Sequence, residues 1–303
     1  DLDALKTISS FNSISLLLAL VALIVGMYFD GLRLQRLVKI GGYKLSIKAV
    51  LRVIFSNYFM AMLTPGASGG AVAQVLVLRS YGVPISKGTP IVLIRTVFSI
   101  MFLVIMLPFV FLRDAIEIPY ISRDMLLIFA VVSVIAMLVG TYILQTKYMR
   151  QFVYNLAQRF KAHKTKDWLS KLETLNQGLG LLYKQPIQSF IVFIESGLSL
   201  LSLYCIAPAL MYAFTPDIPI IDILDRMILL NLILYFAPTP GGTGIAEGLF
   251  VVLFSTFVPN GTVGIVAVAW RVMAEYLPFF VGMYAVLTLY GRQFVAQETS
   301  TEQ

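Results

Sequence analysis

Two short segments of the chain carry nearly the same sequence and interrupt apolar surroundings. They are residues 64–70 (TPGASGG) and residues 239–244 (TPGGTG). An α-helix does not continue unchanged through proline and several glycines, because the proline ring clashes with the preceding turn and a backbone hydrogen bond is lost. The backbone polar groups freed there are costly inside a bilayer unless protein or water satisfies them. The two interruptions therefore predict broken helices that meet at a transport site.

The composition is that of an integral membrane protein. The chain is 58% hydrophobic and 13% charged, with a mean hydropathy of +0.85, whereas soluble domains have roughly a quarter charged residues. Apolar runs near the ~20-residue spanning length recur along the chain. One cysteine and one histidine can form neither an internal disulfide nor a usual zinc site. We therefore expect an all-α membrane protein that binds no metal or cofactor and is not an enzyme.

The distribution of charge predicts how the chain threads the membrane. Basic residues are concentrated at 33–52 and 147–184, whereas residues 113–124 are mixed and residues 215–225 are acidic. The positive-inside rule places both basic segments in the cytoplasm. A multi-pass cell-membrane protein is then expected, with its N-terminus outside, its C-terminus in the cytoplasm and a kink or a split at Pro278. Full crossings, five or six depending on that split, are predicted near residues 14–29, 89–112, 125–144, 188–213 and 262–290.

The interrupted segments are too short to be crossings. The apolar run at residues 49–63 would form about 22 Å of helix, short of the ~30 Å hydrocarbon core. We expect it to enter from the cytoplasm and to return through residues 71–78, while residues 223–237 and 245–257 form a matching re-entrant hairpin from the outside. This arrangement is an inverted-topology repeat. The predicted units are a first repeat at 1–145, a basic interfacial loop at 146–186 and a second repeat at 187–303.

Two arginines lie within apolar spans, one downstream of each interruption: Arg95 and Arg271. A centrally placed arginine costs about 2.5–3.5 kcal/mol to insert, so it is expected to face a cavity or to pair with an anion. The planar guanidinium offers two parallel donors that suit a phosphate. The alternative is an internal ion pair. Arg271 has Glu275 one helical turn away, whereas Arg95 has no acid within its own span.

Polar and glycine residues around the interruptions complete the predicted site. A helix that begins after each break presents N–H groups and a partial positive charge to an anion. The two segments align with Ser68 on Thr243, and both residues are also candidate helix caps. Glu195 is predicted either to carry a proton or to pair with an arginine. Besides the two arginines, the predicted substrate-binding residues are Asn57, Ser68, Gly69, Gly70, Asn231, Gly241, Gly242, Thr243, Gly244, Glu247 and Glu275.

These motifs resemble a known membrane family. Residues 64–70 with residues 82–84 (GVP), and residues 238–248 (PTPGGTGIAEG) with residues 270–271 (WR) and 276–278 (YLP), are similar to the transmembrane region of lysylphosphatidylglycerol synthases. This flippase-like domain is shared with the multiple peptide resistance factor and with stand-alone relatives. The resemblance implies movement of aminoacylated or other anionic-backbone lipids between leaflets, while a separate cytosolic domain makes the aminoacyl ester.

We therefore expect a lipid translocase for a phosphate-bearing lipid, either an anionic or aminoacylated phospholipid or a polyprenyl-phosphate lipid. Its basic residues lie where membrane topology requires them, so they give no reason to expect a nucleic acid partner. Two alternatives stay open: a non-transporting membrane partner of a separate lipid-modifying or glycosyl transferase, and a small-solute transporter. A homo-oligomer and a complex with a separate transferase are both compatible with the sequence.

Overall fold

A computed structural model describes residues 11–113, 123–144, 180 and 185–301. Within these ranges the chain is helical. The elements of the described part are α1 (Ser13–Ile40), α2 (Ile47–Leu63), α3 (Ser68–Ser80), α4 (Ile85–Leu112), α5 (Arg123–Leu144), α6 (Pro186–Tyr204), α7 (Ile206–Met211), α8 (Ile220–Leu234), α9 (Ile245–Phe254), α10 (Val263–Arg271), a π-helical turn (Val272–Tyr276) and α11 (Leu277–Thr301). Nearly all of the predicted basic loop at 146–186 lies outside the described residues.

Four helical stretches in the described part are long and apolar enough to cross a membrane. They correspond to four of the five predicted crossings. The fifth, at residues 125–144, is helix α5 of 22 residues. Its described apolar portion is shorter, Asp124–Met137, so this crossing stays a prediction. The four stretches are Ser13–Ile40, Ile85–Leu112, Pro186–Met211 and Val263–Leu289.

Helix α1 is longer than predicted. It begins behind Asn12, whose Oδ1 accepts the N–H of Ser15 at 2.7 Å, a side-chain cap of the first turn. It continues well past residue 29, so the basic segment predicted to follow the first span begins within the helix, while its cytoplasmic location stays a prediction. Arg33 and Arg36 lie on the helix and form ion pairs with carboxylates. The helix continues through these charges because the protein neutralises them internally.

Prolines interrupt two of the spanning stretches. Helices α6 and α7 are separated at Cys205, three residues before Pro208, which has no N–H to continue the ladder. Just before Pro278, where a kink or a split is predicted, the chain forms the π-helical turn, in which the N–H of Leu277 donates to the carbonyl of Val272. Single π-turns are frequent at functional sites. This turn directly follows Arg271.

The interrupted segments form two helical hairpins, α2–α3 and α8–α9. Their helices have 17, 13, 15 and 10 residues, and each is shorter than the ~20 residues of a crossing. The two turns share left-handed φ values at two aligned positions and differ at the glycine after them, since φ is positive at Gly244 (84°) but not at Gly69. Gly66 and Ala67 have φ values of 59° and 53°, and Gly241 and Gly242 have φ values of 57° and 69°. The similar sequences therefore fold into similar turns.

The hydroxyl groups at the turns also behave alike. Ser68 Oγ donates to the carbonyl of Pro65 at 3.1 Å, and Thr243 Oγ1 donates to the carbonyl of Pro240 at 2.8 Å. Both hydroxyls thus close the turn instead of accepting a helical N–H. The re-entry of the hairpins from opposite faces, and the inverted repeat itself, stay predictions.

Helices from the two halves of the chain interlock. Helix α1 packs chiefly against α6, and α2 packs against both α3 and α11. Ser199 donates to the carbonyl of Gly26 at 2.9 Å where α1 and α6 cross. At the crossing of α2 and α11, a Cβ added to Gly282 would lie 2.1 Å from the carbonyl oxygen of Phe55. Glycine is therefore required for this approach, which positions the first hairpin.

We predict that Gly282→Ala lowers stability by about 1–3 kcal/mol, because the added methyl group forces two backbones apart. The matched control is Gly264→Ala, since a Cβ there meets nothing within 4 Å. That substitution is expected to stabilise its helix by up to about 1 kcal/mol. The measurement is the thermal unfolding midpoint of both purified variants in detergent. Equal midpoints would contradict the close packing of α2 and α11.

Candidate functional site

The tips of the two hairpins touch each other. Pro65 and Pro240 pair as a single antiparallel β-bridge. Gly241 lies so close to Met62 that an added Cβ would be 3.3 Å from the Met62 Cα atom. Turns that are distant in sequence thus form one structural unit. Ser68, Thr243 and Gly244 are exposed on it, whereas Gly70 and Gly242 are buried and Gly69 is half-buried.

The N–H groups at the start of each returning helix are used within the protein. Gly69 donates to Thr64 Oγ1 at 2.8 Å, and Gly70 donates to the carbonyl of Ala67 at 3.1 Å. Gly244 donates to Glu247 Oε2 at 2.7 Å. In this conformation these three predicted anion-binding donors are therefore already satisfied. A ligand would have to displace an internal acceptor to reach them.

Arg95 lies in a buried group of charges, which we call the first cluster: Asp30 and Arg33 of α1 and Arg95 of α4. Both arginines donate to the one carboxylate, Arg95 through Nε at 3.1 Å and through Nη2, and Arg33 through Nε. Arg33 Nη1 also donates to Ser99 Oγ at 2.7 Å. The three charged residues are only 3–6% exposed. Two guanidinium groups share one carboxylate, so the first cluster has a formal charge of +1.

The first cluster is connected to both arms of the first hairpin. Arg95 Nη1 donates to Gln74 Oε1 on α3, and Gln74 Nε2 donates to Asn57 Oδ1 on α2 at 2.7 Å. Arg95 therefore holds the hairpin through a chain of amides. Asn231 does not play the same part in the second hairpin, because its Nδ2 donates to the carbonyl of Met227 in its own helix at 2.9 Å.

Arg271 is the centre of a second cluster with Glu247 and Glu275. Its Nε donates to Glu247 Oε1 at 2.7 Å, and its Nη2 donates to the carbonyl of Gly241 at 2.8 Å. Its Nη1 lies 3.3 Å from Glu275 Oε1 but makes no hydrogen bond. The Arg271 side chain is 1% exposed, whereas the carboxylates are 30% and 29% exposed. Arg271 thus holds the tip of the second hairpin, and the second cluster has a formal charge of −1.

The second turn differs from the first in the hydrogen bonding of its threonine hydroxyl. In the first turn, Thr64 Oγ1 accepts the N–H of Gly69. In the second turn, the equivalent Thr239 Oγ1 is buried without a hydrogen-bond partner, because the N–H of Gly244 goes to Glu247 instead. The carboxylate of Glu247 lies at the start of α9, where the helix dipole favours negative charge.

The two clusters are neighbours. The π-helical turn, which carries Glu275, packs against α1, which carries Asp30 and Arg33. Tyr58 on α2 is close enough to interact electrostatically with Asp30, Arg33 and Arg95 as well as with Glu275. Taken together, the clusters contain equal numbers of guanidinium and carboxylate groups, and their formal charges cancel.

Glu195 lies in a separate ion pair. Its carboxylate accepts three hydrogen bonds from Arg36, at 3.0, 3.1 and 2.7 Å, and Arg36 also donates to Gln188 Oε1 at 2.9 Å. Of the two predicted roles for Glu195, the ion-pair role is the one seen here, although the partner is neither Arg95 nor Arg271. Among the described residues, no group of three potential ligands could hold a metal ion.

Sequence reasoning missed Asp30, Arg33 and Gln74. Asp30 lies just beyond the predicted end of the first span at residue 29, and Arg33 lies in the basic segment predicted to follow that span. An acid with an arginine one helical turn later, at the end of an apolar run, could instead have indicated an internal pair. Gln74 was the one polar side chain within residues 71–78, and that isolation was its only signal.

Nearly the whole chain is similar to known membrane proteins. Residues 3–282 match the family described as "Lysylphosphatidylglycerol synthase TM region", a range that includes both hairpins and both clusters. The chain is also similar to a UPF0104 membrane protein from Archaeoglobus fulgidus, with 23% identity over 286 residues that cover 89% of this chain and 86% of the relative. The resemblance inferred from the motifs is confirmed. The chain therefore belongs to the lysylphosphatidylglycerol synthase transmembrane-region family.

Proposed function

We propose that the protein is a lipid translocase that moves a phosphate-bearing lipid between leaflets and is not itself an enzyme. The observation that carries this proposal is the contact between the two hairpin tips, each of which is tied to a buried arginine. Broken helices and charged side chains at membrane depth mark substrate pathways in transporters. Membership of the family supports a lipid as the substrate, and a lipid phosphate is an anion that arginine can bind with two parallel donors.

Binding requires a rearrangement, because Arg95 and Arg271 already have carboxylate partners. The second cluster is the accessible one. Its two carboxylates are about one-third exposed, whereas Asp30, Arg33 and Arg95 are almost fully buried. A phosphate enters by replacing Glu247 on Arg271, and it exchanges one charge-assisted interaction for another of similar strength. The observed conformation is then the closed state of the site.

Thr239 can replace the hydrogen-bond acceptor that Gly244 loses in this exchange. When Glu247 moves away from both Arg271 and Gly244, the exposed N–H of Gly244 loses its acceptor. A hydrogen bond of this kind contributes about 0.5–1.5 kcal/mol. The unpaired hydroxyl of Thr239 supplies the replacement, as Thr64 already does for Gly69 in the first hairpin. The second tip therefore has two satisfied hydrogen-bond arrangements, one closed and one with Arg271 free.

Two further ion pairs join the halves of the chain. Arg36 and Glu195 connect α1 to α6. Arg113 lies 3.5 Å from both carboxylate oxygens of Asp225 and connects the end of α4 to α8. With the predicted topology, the first pair lies near the cytoplasmic face and the second near the outer face. Alternating access follows if a rocking motion breaks one pair while it keeps the other.

The experiment is a translocation assay in proteoliposomes that contain a fluorescent phosphatidylglycerol, with the outer leaflet quenched chemically. Wild type is expected to expose inner-leaflet lipid faster than protein-free liposomes do. Arg95→Ala and Arg271→Ala are expected to slow the exposure by about tenfold or more, since each removes charge-assisted hydrogen bonds. Arg79→Ala, which removes an exposed arginine at the end of α3, is the matched control and should retain the wild-type rate.

Two outcomes of this assay would count against the proposal. If liposomes with the wild-type protein expose inner-leaflet lipid no faster than protein-free liposomes, the translocase proposal fails and the partner-subunit alternative is favoured. If the arginine variants translocate lipid as fast as wild type, Arg95 and Arg271 do not bind the phosphate as proposed. Elution of every variant as a single species in size-exclusion chromatography establishes that the comparison concerns folded protein.

We predict that Thr239→Val slows translocation by about tenfold while it leaves thermal stability unchanged or raised. The hydroxyl is buried and unpaired in the closed state, so its removal costs nothing there, but the open state then keeps an unsatisfied N–H. The measurement pairs the translocation rate with the unfolding midpoint. A variant with wild-type transport would show that Gly244 does not change its acceptor.

A further inference from the structure

We propose that Glu275 takes up a proton when the site binds a lipid phosphate, so that the phosphate crosses the membrane together with a proton. This inference rests on the proposed translocase function and adds how the site compensates the charge of its substrate. It follows from the charge balance of the two clusters and from the different surroundings of their three carboxylates.

A bound lipid phosphate would upset the charge balance of the two clusters. The clusters hold three guanidinium groups and three carboxylates, and their combined formal charge is zero. The clusters are neighbours, because the π-helical turn packs against α1. A phosphodiester brings one negative charge that no cation of either cluster is left to cancel. A net charge within the membrane is costly, and ionisable groups avoid that cost by neutralising. One proton per phosphate restores zero.

The surroundings of the carboxylates select Glu275 as the acceptor. Asp30 contacts two arginines, and Glu247 accepts hydrogen bonds from Arg271 Nε and from the N–H of Gly244, each at 2.7 Å. Both are held as carboxylates by several donors. Glu275 has only the 3.3 Å approach of Arg271 Nη1, and that fully buried nitrogen makes no hydrogen bond. The weakest-held carboxylate is the one that exchanges a proton most readily.

The groups that face Glu275 are few. Arg271 on α10 and Glu247 on α9 interact with it, as does Tyr58 on α2. Helix α1, which carries Asp30 and Arg33, packs against the π-helical turn. Helix α11 has no acidic or basic side chain at residues 277–289. When a phosphate occupies Arg271, Glu275 loses its one cationic neighbour and gains an anion, and both changes favour the protonated acid.

The same set of groups favours a proton over a metal cation. Cations such as Ca²⁺ require about six or more oxygen ligands, and Mg²⁺ requires a near-octahedral set. The described residues contain no cluster of three potential metal ligands. A single carboxylate in contact with one arginine can bind a proton without any further ligand.

The test uses the full-length protein, purified in an uncharged detergent, and dioctanoyl phosphatidylglycerol as the probe. Binding is measured by calorimetry near neutral pH in two buffers of different ionisation enthalpy, which reports the protons taken up per lipid. Wild type is expected to take up about one proton per lipid bound. Glu275→Gln is neutral in both states, so it is expected to bind the lipid with almost no proton uptake and with an affinity that no longer falls as the pH rises.

Asp217→Asn is the matched control, because it neutralises an exposed carboxylate in the connection between α7 and α8, outside both clusters. It is expected to keep the proton uptake of wild type. Lipid binding to wild type without proton uptake, or equal uptake in wild type and Glu275→Gln, overturns the proton inference and leaves the translocase proposal standing. Absence of any lipid binding to wild type overturns both.

Discussion

The structure depends on buried arginines that hold broken helices in place. Each hairpin has lost backbone hydrogen bonds at its turn, and in a bilayer such a segment persists only when neighbouring protein satisfies it. Arg95 supports the first hairpin through Gln74 and Asn57, and Arg271 binds the carbonyl of Gly241 in the second. The carboxylates that accompany these buried arginines offset the cost of burying their charges. Removal of either arginine would therefore disturb the turn as well as the charge.

The same interactions explain how the site can both be stable and open. Paired charges hold the closed arrangement together. An unpaired acceptor nearby allows a second arrangement, because a donor released from the network can bind to it. Thr239 is such an unpaired acceptor, and the π-helical turn after Arg271 is a local deviation of the kind often found at functional sites. Both features lie in the second half of the chain, where the carboxylates are partly exposed. In the first half the cluster is nearly inaccessible to solvent.

Much of the site was predictable from sequence, because its strongest signals are local. Proline and glycine within apolar runs indicated both hairpins, and an arginine downstream of each indicated the charges beside them. The partners of those arginines were not predictable in the first half, since Asp30 reaches Arg95 across a helix crossing and no periodicity within α4 reveals it. Glu275 was predictable, because it lies on the same helical stretch as Arg271. The contact of Pro65 with Pro240 depends on how the two halves pack together. A local sequence pattern does not show that packing, and the repetition of the motif is its one indication.

The central claim is that two similar broken hairpins enter from opposite faces of the membrane and meet tip to tip. Its most direct test is the side from which their outer ends can be labelled. In a Cys205→Ser background, Ser80→Cys marks the exposed end of α3, and Asn260→Cys marks the exposed connection after α9. With an impermeant maleimide, the account predicts labelling of Asn260→Cys in intact cells, and labelling of Ser80→Cys only after the membrane is permeabilised. Labelling of both positions from the same side would contradict the account.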